Sequence, residues 1–252
     1  MRRDRRRERM GPWFLLGVGL LKPPTALLSR RVSSGVQLVP PGGVVLAANH
    51  ISLADPVVLC DFVLYDLRRV PRFLAKRELF VGSGLVARVM RGAGQIPVDR
   101  DRPDAPRALD DAVAALAGGE TVVIYPEGTV TQDPGKWPMQ ARTGVARLAL
   151  LSGAPVVPVA QWGAQDILDT TPTGGRRGRR LSLRPRRPVR FRVGPPVDLT
   201  RWTGSEPTAE VLREVTTAVM DAITAELEVL RGERAPARRY DPRRSRDERR
   251  TA

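Results

Sequence analysis

The stretch "GGVVLAANHISLADPVVLCDF", residues 42 to 62, holds the one histidine of a 252-residue chain. Its first half is an unbroken apolar run, Val44 to Ala48, bounded by glycines and by Asn49, which reads as a short strand buried on both faces. Its second half reads as helical in part, because Pro56 is comfortable in the first turn of a helix and disruptive deeper in. Strand, short loop and helix form the repeating unit of α/β folds, which collect functional groups on the loops beyond their strands. His50 stands on such a loop.

Asp55 follows five positions later. Within one continuous helix, residues five apart are rotated by about 140°, so their side chains diverge. The pair meets only if His50 stays on the loop and Asp55 opens the helix, with Ser52 available to cap the same turn. So placed, the carboxylate accepts a hydrogen bond from one ring nitrogen and leaves the other as a base. An imidazole, titrating near 6.5 in model peptides, suits the removal of a hydroxyl proton at neutral pH. There is no G-x-S-x-G nucleophile motif, and the single cysteine, Cys60, sits in the apolar run "PVVLCDFVL" as a small hydrophobe. The attacking group is then the substrate's own hydroxyl.

Outward from this unit, short β-branched runs alternate with helical ones. "RVPRFLAKREL" supplies a strand, "GLVARVMRGAG" a short helix and "GQIPVDR" an extended piece. "APRALDDAVAALAGG" reads as a helix ended by a glycine pair, followed by the strand "TVVIYPEGT", the helix "TGVARLALLSG" and the strand "APVVPVAQW". "GGRRGRRLSLRPRRP" reads as an exposed basic loop and "VRFRVGPPVDL" as a half-exposed strand. Val211, Val215, Val219, Ile223 and Leu227 recur every four residues as a closing amphipathic helix. The alternation predicts a single-domain α/β sandwich with a mixed, largely parallel central sheet flanked by helices. That domain spans residues 35–230.

The formal charge of +15 draws polyanions, nucleic acid and anionic lipid alike. Arginine outnumbers lysine 39 to 3, which fits both a GC-rich genome and planar phosphate recognition. A nucleic-acid binder would interleave aromatics with its basic runs for stacking. The arginine-rich loop and the C-terminal run offer only Tyr240, so no specific nucleic acid is expected. One cysteine makes no internal disulfide, and no Cys/His cluster offers a metal site.

In residues 1–34, six arginines precede an apolar stretch, Gly11 to Leu21, that the pair Pro23 and Pro24 is expected to break. At 1.5 Å per residue the stretch reaches only about half the roughly 30 Å hydrocarbon layer. It is read as a helical segment lying in the headgroup region of an anionic leaflet, with Trp13 and Phe14 at its start. Residues 231–252, with nine arginines and four acids, are read as a disordered basic tail.

"NHISLAD" (49–55), "GQIPVDR" (94–100), "YPEGT" (125–129) and "PVVPVAQWG" (155–163), in that order, closely resemble the four sequence blocks of the glycerolipid acyltransferases, the lysophosphatidate acyltransferase family. The resemblance covers about residues 35–230. It implies that His50 and Asp55 are the catalytic base and its orienting acid. It further implies that a fatty acyl group passes from acyl-CoA or acyl-carrier protein to 1-acylglycerol 3-phosphate, with no bound metal or redox cofactor. Arg100 is implied at the acceptor phosphate, and Glu127, Gly128 and Thr129 at the glycerol phosphate. Lys76 and Arg142 stand where related enzymes carry basic residues, with arginine at 142 where lysine is common. Pro158 is implied on the acyl-donor side. A lyso-ornithine lipid, another lysophospholipid or a mannolipid are the competing acceptors. The implied location is the cytoplasmic face of the cell membrane, peripheral or monotopic, held by the N-terminal segment and the basic regions.

Overall fold

A computed structural model describes residues 10–98, 105–170, 172–173, 176–177 and 180–242. The chain runs α1 (Pro12–Leu28), β1 (Ser29–Ser34), β2 (Val44–Ala48), α2 (Asp55–Tyr65), β3 (Pro71–Lys76), α3 (Leu85–Gly92), β4 (Ile96–Val98), α4 (Ala105–Ala117), β5 (Thr121–Ile124), α5 (Gly144–Ser152) and β6 (Val156–Trp162). Four two-residue strands follow: β7 (Leu168–Asp169), β8 (Pro172–Thr173), β9 (Arg176–Arg177) and β10 (Arg180–Leu181). β11 (Arg187–Val193) and α6 (Ala209–Arg231) close the fold.

The central sheet has seven strands in the order β1-β11-β6-β2-β5-β3-β4. Only the β11–β6 pairing is antiparallel, so the sheet is mixed and largely parallel. All five residues of β2 have no exposed surface, which is why that strand reads as continuously apolar rather than alternating. On one face Val45, Ala47, Val122 and Val156 pack with Leu148 of α5 and Val219 and Ile223 of α6. On the other, Leu46, Val123 and Phe191 pack with Leu59 and Phe62 of α2, and the two phenyl rings stack 4.6 Å apart. Gly43 enters β2 so close to the end of α4 that a Cβ there would stand 2.0 Å from the Leu116 carbonyl oxygen. Only glycine fits that junction.

Three expectations about the ends change. Pro23 and Pro24 do not break the N-terminal segment, since α1 runs through both to Leu28. The carbonyls they leave without a helical donor belong to Gly19 and Leu20, both exposed residues, so the break in the hydrogen-bond ladder falls outside the core. Residues 29–34 are not part of a separate segment: β1 pairs with β11 from Ser29↔Arg187 to Ser34↔Arg192. Residues 231–240 dock on the body: Tyr240 accepts from the Gln140 N–H at 2.9 Å, the Ala235 N–H bonds Glu228 at 2.8 Å, and Arg239 pairs with Asp221. The stretch read as an exposed basic loop contributes β9 and β10 to two short ladders, with β8 and β7 respectively.

Candidate active site

β2 ends at Ala48, and its pairing with β6 is extended one rung by a side chain. The Asn49 amide donates to the Gln161 carbonyl at 3.0 Å and accepts from the Gln161 N–H at 2.8 Å. The Gln161 side chain in turn donates to the Asn49 carbonyl at 2.6 Å. The chain then leaves the sheet at His50.

Asp55 is the first residue of α2 and has no exposed surface. Its Oδ2 accepts three hydrogen bonds, from His50 Nδ1 at 2.8 Å, Ile51 N–H at 2.6 Å and Ser52 N–H at 2.8 Å. An oxygen already receiving two N–H groups acts toward the ring as an acceptor, so Nδ1 carries the hydrogen and Nε2 keeps its lone pair. The ring face is held as well, stacked on Tyr125 with centroids 4.3 Å apart. Ser52 does not cap α2 itself. The residue before the helix is Ala54, and Ser52 Oγ instead accepts from the Ala54 N–H at 3.0 Å and donates to the Leu168 carbonyl at 2.6 Å.

Glu127 departs from its expected part at the glycerol phosphate. Its side chain points inward, leaving the residue 3% exposed. Oε1 accepts from the His50 N–H at 2.9 Å and Oε2 from the Met139 N–H at 3.0 Å. Burial pushes this carboxyl up to about 8 against the pull of the two N–H groups, and Asp55 adds to the rise. With Thr131 N–H donating to the His50 carbonyl at 2.7 Å, both backbone groups of the histidine end on the segment 127–131. Glu127 is a brace behind the histidine.

Gly128 and Thr129 are half-buried. Gly128 adopts φ +74 in a turn closed by its own N–H on the Tyr125 carbonyl at 2.9 Å, a conformation glycine takes without strain. The Arg142 side chain lies over it, and the Arg142 N–H bonds the Pro126 carbonyl at 3.0 Å. Lys76, exposed, ends β3 level with Val98, at the same end of the sheet as His50 and Gly128. Arg100 lies outside the described residues. Pro158 is buried within β6 opposite Ala47, with its carbonyl taken by the Gly194 N–H at 3.0 Å.

The family model for acyltransferases matches residues 30–162. The chain belongs to the acyltransferase family. A structure titled as the 1-acyl-sn-glycerophosphate (LPA) acyltransferase PlsC of Thermotoga maritima is similar in fold, with a TM-score of 0.59 and 24% identity. The likeness covers 88% of this chain and 82% of that one. Among curated proteins no sequence matches significantly.

In this acyltransferase a recess of about 80 Å³ opens beside Gly128 and Arg142, walled by Leu74, Val98, Ile124 and Tyr125. A larger depression of about 400 Å³, lined by Arg72, Asp111 and Glu120, lies at the opposite end of the strands, away from His50. No group of three or more His, Cys, Asp or Glu able to hold a metal occurs among the described residues. Burial, with Asp61 second, pushes the Cys60 thiol up to about 12, in keeping with an inert hydrophobe. Sequence reasoning gave no role to Asn49, Tyr125 or Gln161, although all three lie inside the four blocks.

Proposed function

We propose that the chain is a 1-acylglycerol-3-phosphate O-acyltransferase, moving a fatty acyl group from acyl-CoA or acyl-carrier protein to lysophosphatidate to give phosphatidate. The observation that carries this reading is the imidazole whose Nδ1 is pinned by Asp55 at 2.8 Å, at the strand end where Lys76 and Arg142 also stand. His50 Nε2 takes the proton of the acceptor hydroxyl as its oxygen attacks the thioester carbonyl carbon. The tetrahedral intermediate collapses, the carbon–sulfur bond breaks, and the departing thiolate takes the proton back from His50. Asp55 supports the imidazolium that exists between these events.

The acceptor class rests on charge. Arg142 over the Gly128 turn, Lys76 and Arg100 supply guanidinium and ammonium donors suited to a phosphate monoester. The recess of about 80 Å³ falls well short of the several hundred that enclose a whole small-molecule ligand. Fatty chains therefore stay in the bilayer while the headgroup reaches the site. α1 suits that arrangement: Phe14 is buried against the body while Leu15, Leu16, Leu20, Leu21 and Leu27 are exposed. No helix among the described residues is long and apolar enough to cross a membrane, so α1 lies along the surface in this reading. Leu181 and Leu183, among the exposed arginines Arg180, Arg184 and Arg186, extend the same contact, since the Arg186 N–H bonds the Leu27 carbonyl at 2.9 Å. The surface it meets is anionic and faces the cytoplasm.

The test is an acyl-transfer assay on the purified protein with oleoyl- or palmitoyl-CoA, loaded acyl-carrier protein, and a panel of lysolipids. Lysophosphatidate is expected to be preferred over lysophospholipids lacking a phosphate monoester and over lyso-ornithine lipid. Equal rates across the panel would refute the acceptor assignment.

A further inference from the structure

The last turn of α6 ends in a clasp that acyl transfer, as described, leaves without a part. The Arg231 guanidinium lies between two indoles, 3.9 Å from the ring centre of Trp137 and 4.2 Å from that of Trp162. Its side chain is 9% exposed, donates to the Gly135 carbonyl at 2.8 Å and pairs with Glu233 at 2.6 Å. A guanidinium removed from water and stacked on both faces is a geometry lysine cannot reproduce.

What the clasp holds is the loop 130–140. That loop has no regular secondary structure and keeps Lys136 at φ +59, so its shape depends on what grips it. Inside it, Thr131 Oγ1 donates to the Trp137 carbonyl at 2.8 Å and the Trp137 N–H donates to Asp133 at 3.0 Å. Its two ends meet the histidine. The Thr131 N–H bonds the His50 carbonyl at 2.7 Å, and the Met139 N–H bonds Glu127 Oε2 at 3.0 Å while Oε1 holds the His50 N–H at 2.9 Å. Trp162, the other face of the sandwich, follows Gln161, whose backbone and side chain hold Asn49. The bonds to the His50 backbone thus lead, directly through Thr131 or by way of Glu127 and Met139, to the loop that carries Trp137, and the bonds to Asn49 lead to the neighbour of Trp162.

We propose that Arg231 is a positioning residue for acyl transfer, acting through Trp137 and the loop 130–140 to keep the His50 backbone, and with it Nε2, aimed at the proton of the acceptor hydroxyl. It rests on the reading of His50 as the base. It touches no reacting atom. Loosening the loop lowers the rate of the chemical step while substrates still bind, because loop 130–140 carries none of the groups assigned to the acceptor.

The experiment compares wild type, Arg231→Met, Arg231→Lys, Trp137→Leu and His50→Ala by steady-state kinetics and thermal melting. Arg231→Met fills the sandwich without charge and is expected to lower kcat between about ten- and a hundredfold, with KM for both substrates within about twofold. Arg231→Lys is expected to recover part of the loss, and Arg231→Met combined with Trp137→Leu to be no slower than the worse single variant. Wild-type kcat in Arg231→Met with only a lowered melting temperature would overturn the proposal and leave a purely structural staple. If Arg231→Met does not fold, Trp137→Leu, which removes one indole face, reads the same coupling, and wild-type kcat there is equally fatal. Near-normal turnover in His50→Ala would instead sink the base assignment, so the two failures are separable.

Discussion

Replacing Glu127 by glutamine isolates one buried carboxyl. The residue is 3% exposed and its carboxyl is pushed by burial from 4.5 to about 8. A folded value above the unfolded one means that the native state holds the proton more tightly, so the native state gains from this group at low pH. That gain is present below about 4.5 and is lost as pH rises toward 8. Glutamine has no such titration, and every other group is common to both proteins, so the difference in unfolding free energy between them reports Glu127 alone. With one pKa unit worth about 1.4 kcal/mol, linkage gives a relative gain for Glu127→Gln of about 3 kcal/mol between pH 5.5 and pH 8.5. Glutamine also turns one acceptor of the His50 and Met139 N–H groups into a donor, a pH-independent cost of about 1–3 kcal/mol. Urea unfolding at pH 5.5, 7.0 and 8.5 should therefore show the variant less stable in acid and closing on or passing the wild type in base. Parallel stability curves across that range would refute the picture of a proton held behind the histidine.

Four further outcomes follow from the same geometry. His50→Ala should lower kcat by at least roughly 100- to 10,000-fold in a single-turnover assay while lysophosphatidate still binds. Asp55→Asn should cost up to about 10,000-fold, because an amide turned toward the ring stabilises the tautomer whose Nε2 carries the hydrogen; retained turnover would break the pairing argument. Cys60, with its thiol pushed up to about 12, should be alkylated by iodoacetamide at pH 8 on the order of a thousandfold more slowly than a small free thiol, read by mass spectrometry. Exchanging Leu16 and Leu20, both exposed on α1, for serine should weaken cosedimentation with phosphatidylglycerol vesicles at least about tenfold, each leucine being worth about 1.5–3 kcal/mol on burial.

Much of the fold was legible because its signals are local. The continuous burial of β2 follows from Val44 to Ala48 being apolar without alternation, and Pro56 marked where α2 begins. The His50–Asp55 contact followed from the same proline, since a helix starting any earlier would have turned the two apart. What stayed hidden depends on groups far apart in sequence. Whether Glu127 faces a ligand or the interior is decided by Met139 and by the His50 backbone, 77 positions away, and no periodicity reports that. Arg231 looked like the first residue of a charged tail because arginines crowd behind it, whereas its surroundings are two tryptophans from a loop and a strand end. At Pro23 and Pro24 a sound local rule lost to position, as the orphaned carbonyls belong to exposed residues outside the core.

The borrowed rung that Asn49 builds against Gln161 has a directional consequence. A side chain on a regular strand must stand perpendicular to the sheet, and here that would drive an imidazole into one of two filled layers. By finishing the seam with an amide, the backbone is released from its pleat one residue early while staying anchored to the stiffest part of the molecule. The ring thereby inherits the immobility of the central strands and is free of the orientation they impose, like a tool clamped in a vice but pointing off the bench.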